Sequence, residues 1–136
     1  MRKSTSIVIG VLLVVAVLGA QGAQQESRFV ATVGPDGVQR VEVNGGSYFF
    51  KPNVIVVKVN VPVELVVRKT GQGSHDICLQ APEAGIDFKE SLGDQPKTIK
   101  FTPTKVGKYP FWCTHKIPLS KSHRDRGMSG VLEVVE

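Results

Sequence analysis

From residue 24 onward the chain is a succession of short alternating stretches cut by glycine and proline, and no run of ten or more residues repeats with helical spacing. Val41 and Val43 alternate with Arg40, Glu42 and Asn44, while Val63, Leu65 and Val67 alternate with Glu64 and Arg68. Residues 54–61 are rich in valine, with Lys58 and Asn60 marking a wet side. Ile99 and Phe101 share one side of 98–102, and Leu132 and Val134 share one side of 129–135. The Gly-Pro-Asp-Gly turn at 34–37, Gly45-Gly46, Pro52 and Pro62 separate these segments. Period-two alternation in β-forming residues between such breaks is the pattern of half-buried strands. Many of them in one domain predict an all-β fold, an antiparallel sandwich or small barrel.

Further strands are expected at 29–33, 47–50, 74–79 and 107–113, the last with Tyr109, Phe111 and Cys113 on one face. Residues 80–96 have the weakest pattern. Glu83, Asp87, Glu90 and Asp94 stand there against Lys89, a local net of −3, and a long loop with at most one helical turn is expected.

The N-terminus follows different rules. Arg2 and Lys3 precede an uncharged apolar run at 7–20, too short to span a bilayer comfortably as a helix. A charged start, an apolar middle and small residues at Ala20, Gly22 and Ala23 predict a secretory signal peptide over 1–23. An uncleaved anchor is the competing reading, disfavoured by the shortness of the run. Residues 24–136 then form a single domain, exported to the periplasm or another extracytoplasmic space. Loss of Arg2 and Lys3 takes the formal charge from +5 to +3. That mild basicity suits an acidic protein partner; it is too small to argue for nucleic acid. A monomer without stable membrane insertion is expected.

Chemistry concentrates near the C-terminus. Residues 113–128 hold Cys113, His115, His123 and Met128, in a chain with only three histidines, two cysteines and two methionines. Cys113 ends a predicted strand, and His123 and Met128 sit in the following loop with four residues between them. The remaining histidine, His75, follows the turn at Gly71 and Gly73. A thiolate, two imidazoles and a thioether are the donors of a blue-copper electron-transfer site. The expected metal ligands are therefore His75, Cys113, His123 and Met128, around one copper ion cycling between Cu(I) and Cu(II). His115 lies two residues after Cys113, about 7 Å along a continuing strand, and is expected near the site rather than in it.

Several pieces carry a resemblance to the cupredoxins, the plastocyanin- and azurin-like blue copper proteins. These are Phe50-Lys51-Pro52 with the valine strand after it, Gly73-Ser74-His75-Asp76, the G-x-Y-x-F-x-C run ending at Cys113, and HRDRGMSG at 123–130. The resemblance spans roughly residues 47–136. It implies a Greek-key sandwich, one-electron transfer and the same four ligands, with Asp76 bracing the loop near the cysteine sulfur. The chain departs from the pattern in the nine residues between Cys113 and His123, a much longer gap than is familiar in that family. The insert at 114–122 has to bulge outward before His123 returns.

Rival readings use the same residues. An exported sandwich could join Cys78 to Cys113 in a disulfide and serve as a metal-free recognition module. A zinc site could use His75, Cys78, Cys113 and His115. Neither accounts for Met128, and Cys78 reads more simply as a buried free thiol. Met128 and His123 alone would be a core side chain and a solvated loop residue; their spacing and the glycines around Met128 favour ligation. Trp112 is expected to pack or lie at the surface, on the side opposite Cys113. With one ligand set the domain is expected to be no enzyme but an electron carrier, working with a redox protein such as a cytochrome. Copper delivery is the alternative that fits the same donors.

Overall fold

The computed structural model describes residues 24–136; the signal segment expected at 1–23 lies outside them. Among the described residues ten strands form: β1 (Arg28–Val30), β2 (Gln39–Gly46), β3 (Phe49–Lys51), β4 (Val54–Lys58), β5 (Val63–Lys69), β6 (Asp76–Ala81), β7 (Ile86–Ser91), β8 (Lys97–Phe101), β9 (Gly107–Trp112) and β10 (Ser129–Val135). They lie in two sheets, β1-β4-β10-β9-β6-β7 and β3-β2-β5-β8, which makes the expected Greek-key sandwich.

The alternation read from the sequence sets which side chains face inward. Val41, Val43, Leu65, Val67 and Ile99 from the smaller sheet meet Ile55, Val57, Ile77, Leu79, Phe111, Leu132 and Val134 from the larger. Phe50 and Phe111 pack edge to face with centroids 5.3 Å apart, within the preferred range for aromatic pairs. Gln39 is the one polar side chain sealed completely in this region. Its amide donates to the Lys58 and Val61 carbonyls at 3.1 and 3.2 Å and accepts from the Lys58 N–H at 2.7 Å, which fixes the turn between β4 and β5.

Two expectations need correction. Strand pairing is mixed, because β1–β4, β4–β10 and β2–β5 run parallel. Between those partners the chain crosses to the opposite sheet, and such crossovers allow parallel neighbours that a hairpin cannot make. Residues 80–96 are also more ordered in pattern than a long loop. β6 continues to Ala81, Pro82–Ala84 form a 3₁₀ turn, and β7 pairs residue for residue with β6. Ile86 and Phe88 face inward while Asp87 and Lys89 dress the outside of what is an edge strand. Charges on sheet edges block further pairing, and here they mask the alternation.

Smaller shifts occur at strand ends. β4 stops at Lys58 because the chain turns at Asn60, whose φ is 59°. Asparagine is among the few residues that tolerate that conformation. β6 begins at Asp76, so His75 lies just before the strand and not within it.

Candidate metal centre

The end of the sandwich where β9 stops and β6 begins collects the donor side chains. β9 carries Phe111 inward, and the alternation continues one step past it to bury Cys113 completely. His75, 2% exposed, enters from the loop before β6. His123 comes from the loop between β9 and β10. The Nδ1 atoms of His75 and His123 are 3.2 Å apart, and Cys113 Sγ is 3.5 Å from His123 Nδ1. All three donor atoms lie within 4.8 Å of one another. One ion bonded to nitrogen at about 2.0 Å and to sulfur at about 2.3 Å, with the donors at trigonal angles, separates them by about 3.5–3.8 Å. The cluster is that size, and its soft donors suit one copper ion.

Met128 is sealed and stands beside the three. The Cys113 N–H donates to the Met128 carbonyl at 3.1 Å, and the Met128 N–H donates to the His123 carbonyl at 3.0 Å. A tight turn makes this possible. Ser122 and Asp125 exchange side-chain-to-backbone bonds at 3.3 and 3.0 Å, the Gly127 N–H reaches the Arg124 carbonyl, and Gly127 takes φ 102° where a side chain would be strained. The four-residue spacing from His123 to Met128 is thus the length of one closed turn.

The nine-residue insert is accommodated just as economically. The His123 N–H donates to the His115 carbonyl at 2.9 Å, so the chain leaves and returns at one point. At the neck, Asp76 accepts from the Thr114 N–H at 2.6 Å and from the Thr114 hydroxyl. This is the bracing role the resemblance implied for Asp76, and such supporting bonds orient ligands and tune a metal. The insert therefore bulges outward, as expected, without displacing Cys113 or His123.

The surroundings set the donors' protonation. Burial lowers the pKa of His75 and of His123 from the ordinary imidazole value. Both are held in the neutral form, which ligates metals. Burial pushes the Cys113 thiol up, so without metal it keeps its proton. Ligation to a metal cation removes that proton.

His115 is placed as expected, near the site and outside the three-donor group: its ring centroid is 5.8 Å from that of His123. The zinc set is not assembled, since Cys78 lies outside the group, paired in register with Trp112 across β6 and β9. Cys78 and Cys113 are both free thiols, so the disulfide is not formed. Trp112 is half-buried beneath the Arg124 guanidinium, 4.5 Å from the ring centroid. Sequence reasoning missed Tyr48, whose ring packs edge-on against His123 at 4.9 Å beneath Arg126. Nothing in the sequence pattern links Tyr48 to residues some seventy-five positions later.

Fold and donor set define a class, the cupredoxins. The cupredoxin-like domain family matches residues 8–122, and the chain belongs to that family. His123 and Met128 lie just beyond the matched span. No curated protein matches the chain. Solved structures share the fold at low identity. The metal-binding domain of the Streptococcus pneumoniae D39 Cu(I)-exporting P-type ATPase CopA, with Cu(I), is 22% identical at TM-score 0.59, covering 83% of this chain and 100% of that one. Dithionite-reduced auracyanin from Roseiflexus castenholzii is 20% identical at TM-score 0.55, covering 71% and 97%. Auracyanin A, a "blue" copper protein from Chloroflexus aurantiacus, is 17% identical at TM-score 0.55, covering 73% and 100%.

Proposed function

We propose that this protein is an exported mononuclear copper protein that carries single electrons between redox partners, with His75, Cys113, His123 and Met128 as ligands. The observation that carries this reading is the closure of two imidazole Nδ1 atoms and one thiol sulfur around a single point. When bound, copper supplies the one-electron couple. The chain supplies a rigid end of a sandwich. Cys113 is pinned through the Met128 carbonyl and through Thr114 on Asp76, and His123 through the His115 carbonyl. Donors that stay in place in both oxidation states keep reorganisation small. Export accords with the leader-like N-terminus, and among the described residues there is one donor cluster, which favours a carrier over an oxidase.

A second reading has its own support. The CopA domain with Cu(I) has the same fold as this chain, so copper binding for delivery fits the scaffold equally well. Optical and EPR spectra of the copper-loaded protein, then mixing of its reduced form with an oxidised c-type cytochrome, separate the two. The carrier gives intense thiolate-to-Cu(II) absorption and fast electron exchange with the metal retained. A colourless Cu(II) adduct, or loss of the ion to an acceptor without electron exchange, overturns it.

The partner contact follows from charge. Lys116, Lys121, Arg124 and Arg126 are exposed around the insert with only Asp125 opposing them. Such a rim steers an acidic partner to a fast, weak, salt-sensitive encounter. Reversing charge at Lys121 and Arg124 together should slow the second-order rate with an acidic partner about tenfold or more at low salt and flatten its salt dependence. An unchanged rate and slope, measured by stopped flow, would retire the docking rim.

A further inference from the structure

All three histidines of the chain meet at one cleft of about 340 Å³, lined among others by His75, His115, Lys116 and His123. Their exposure is graded. His75 is 2% exposed and Cys113 is fully sealed, His123 is half-buried, and the His115 side chain is 41% exposed at the mouth. A site this buried needs a way in for its ion. The sealed His75 and Cys113 cannot meet a hydrated ion directly, so an imidazole nearer the mouth has to take the place of the first water on it.

His115 is arranged for that first exchange. Its carbonyl accepts from the His123 N–H, which anchors its backbone beside the cleft. Its Nε2 is 4.0 Å from Asp76 Oδ2, a carboxylate that attracts a cation to the same spot. Its ring is tilted 32° to that of His123 with centroids 5.8 Å apart, within side-chain reach. From this gradient we infer that His115 is the capture ligand through which copper is loaded: a transient first donor, distinct from the ligands that finally hold the ion. His115 displaces one water from the hydrated ion. His123 and then His75 and Cys113 take the ion over from it, and the Cys113 thiol releases its proton to solvent. No electron changes hands, and His115 is left free at the end. The inference rests on the copper reading proposed above.

The test mixes purified apoprotein with aqueous Cu(II) in stopped flow and follows the thiolate absorption, for the wild type, His115→Ala, His115→Gln and Lys116→Gln. Capture by His115 predicts that both His115 variants load about tenfold or more slowly, release copper more slowly to the same degree, and finish with the wild-type spectrum and affinity. Lys116→Gln, which removes a neighbouring charge, loads no more slowly than the wild type. Three results overturn the inference. Unchanged loading rates show that His115 is bypassed. A fall in affinity of about 10–100-fold at an unchanged loading rate makes His115 a brace for Asp76 instead. An altered final spectrum makes it a permanent ligand. A wild type that takes up no copper and develops no colour refutes the copper reading itself, and this outcome is separate from the other three.

Discussion

Cys113→Ser is expected to abolish the visible thiolate-to-Cu(II) absorption completely while leaving the sandwich folded. Cys113 is the one sulfur of the three-donor cluster, 3.5 Å from His123 Nδ1. A serine hydroxyl is a hard, protonated donor at neutral pH, and it cannot replace a soft thiolate on copper. The fold tolerates the change because Ser has nearly the same volume and its hydroxyl points at His123 Nδ1, an available partner. The expected loss of stability is about 1 kcal/mol, the scale of one imperfectly satisfied buried hydroxyl. Cys78→Ser is the internal control. Cys78 is buried across from Trp112, outside the cluster, and its replacement should leave the colour unchanged. Absorption spectra of both copper-loaded variants, with circular dichroism for the fold, check the pair. Colour surviving in Cys113→Ser, or vanishing in Cys78→Ser, would show that the donor set is wrong.

The second large effect is at Asp76. Its carboxylate is buried and accepts both bonds from Thr114, the residue directly after Cys113. Lys89 Nζ is 3.8 Å away, but it is mostly exposed, so screening leaves that contact worth little. Asp76→Ala strands the Thr114 N–H at the neck of the insert. The expected destabilisation is about 2–4 kcal/mol, combining a lost charge-assisted bond with an unsatisfied buried donor. Asp76→Asn keeps an acceptor for the Thr114 N–H and can donate to its hydroxyl, so stability should fall by less than about 1 kcal/mol.

What Asp76→Asn changes is charge. A carboxylate beside the site favours the more positive oxidation state, and its removal favours Cu(I). At the effective dielectric of a protein, a unit charge several ångströms away is worth a few kcal/mol at most. The reduction potential should therefore rise by about 60 mV or more, where 59 mV is tenfold in a one-electron equilibrium. Denaturant unfolding and a redox titration measure the two effects. If Asp76→Ala is as stable as the wild type, the brace is idle. If Asp76→Asn lowers the potential or leaves it fixed, the carboxylate does not act on the metal.

Which residues could hold a metal was legible in the chain because donor chemistry is a property of residue type. A thiol, imidazoles and a thioether within sixteen residues have few other joint uses. Which face of each strand is buried was legible too, because the period of two follows from the pleat. That is why Val41, Val43, Leu65, Val67, Leu132 and Val134 are core as expected. β7 escaped notice because an edge strand spends its outer face on charge. The sense of β2 against β5 escaped because alternation is identical in parallel and antiparallel neighbours.

The convergence itself was decided only in three dimensions. Nothing in the stretch 114–122 announces that the His123 N–H will meet the His115 carbonyl, or that Thr114 will hang on Asp76 thirty-eight positions earlier. Those are long-range or loop-closing bonds, and their geometry depends on where two sheets bring their ends. The sequence by itself determined the donors and the alternating strands that carry them, because both reside in single residues and their nearest neighbours. The tertiary structure decided that His75 faces Cys113, that Tyr48 covers His123 and that His115 stays at the mouth, because packing between distant segments fixes those positions.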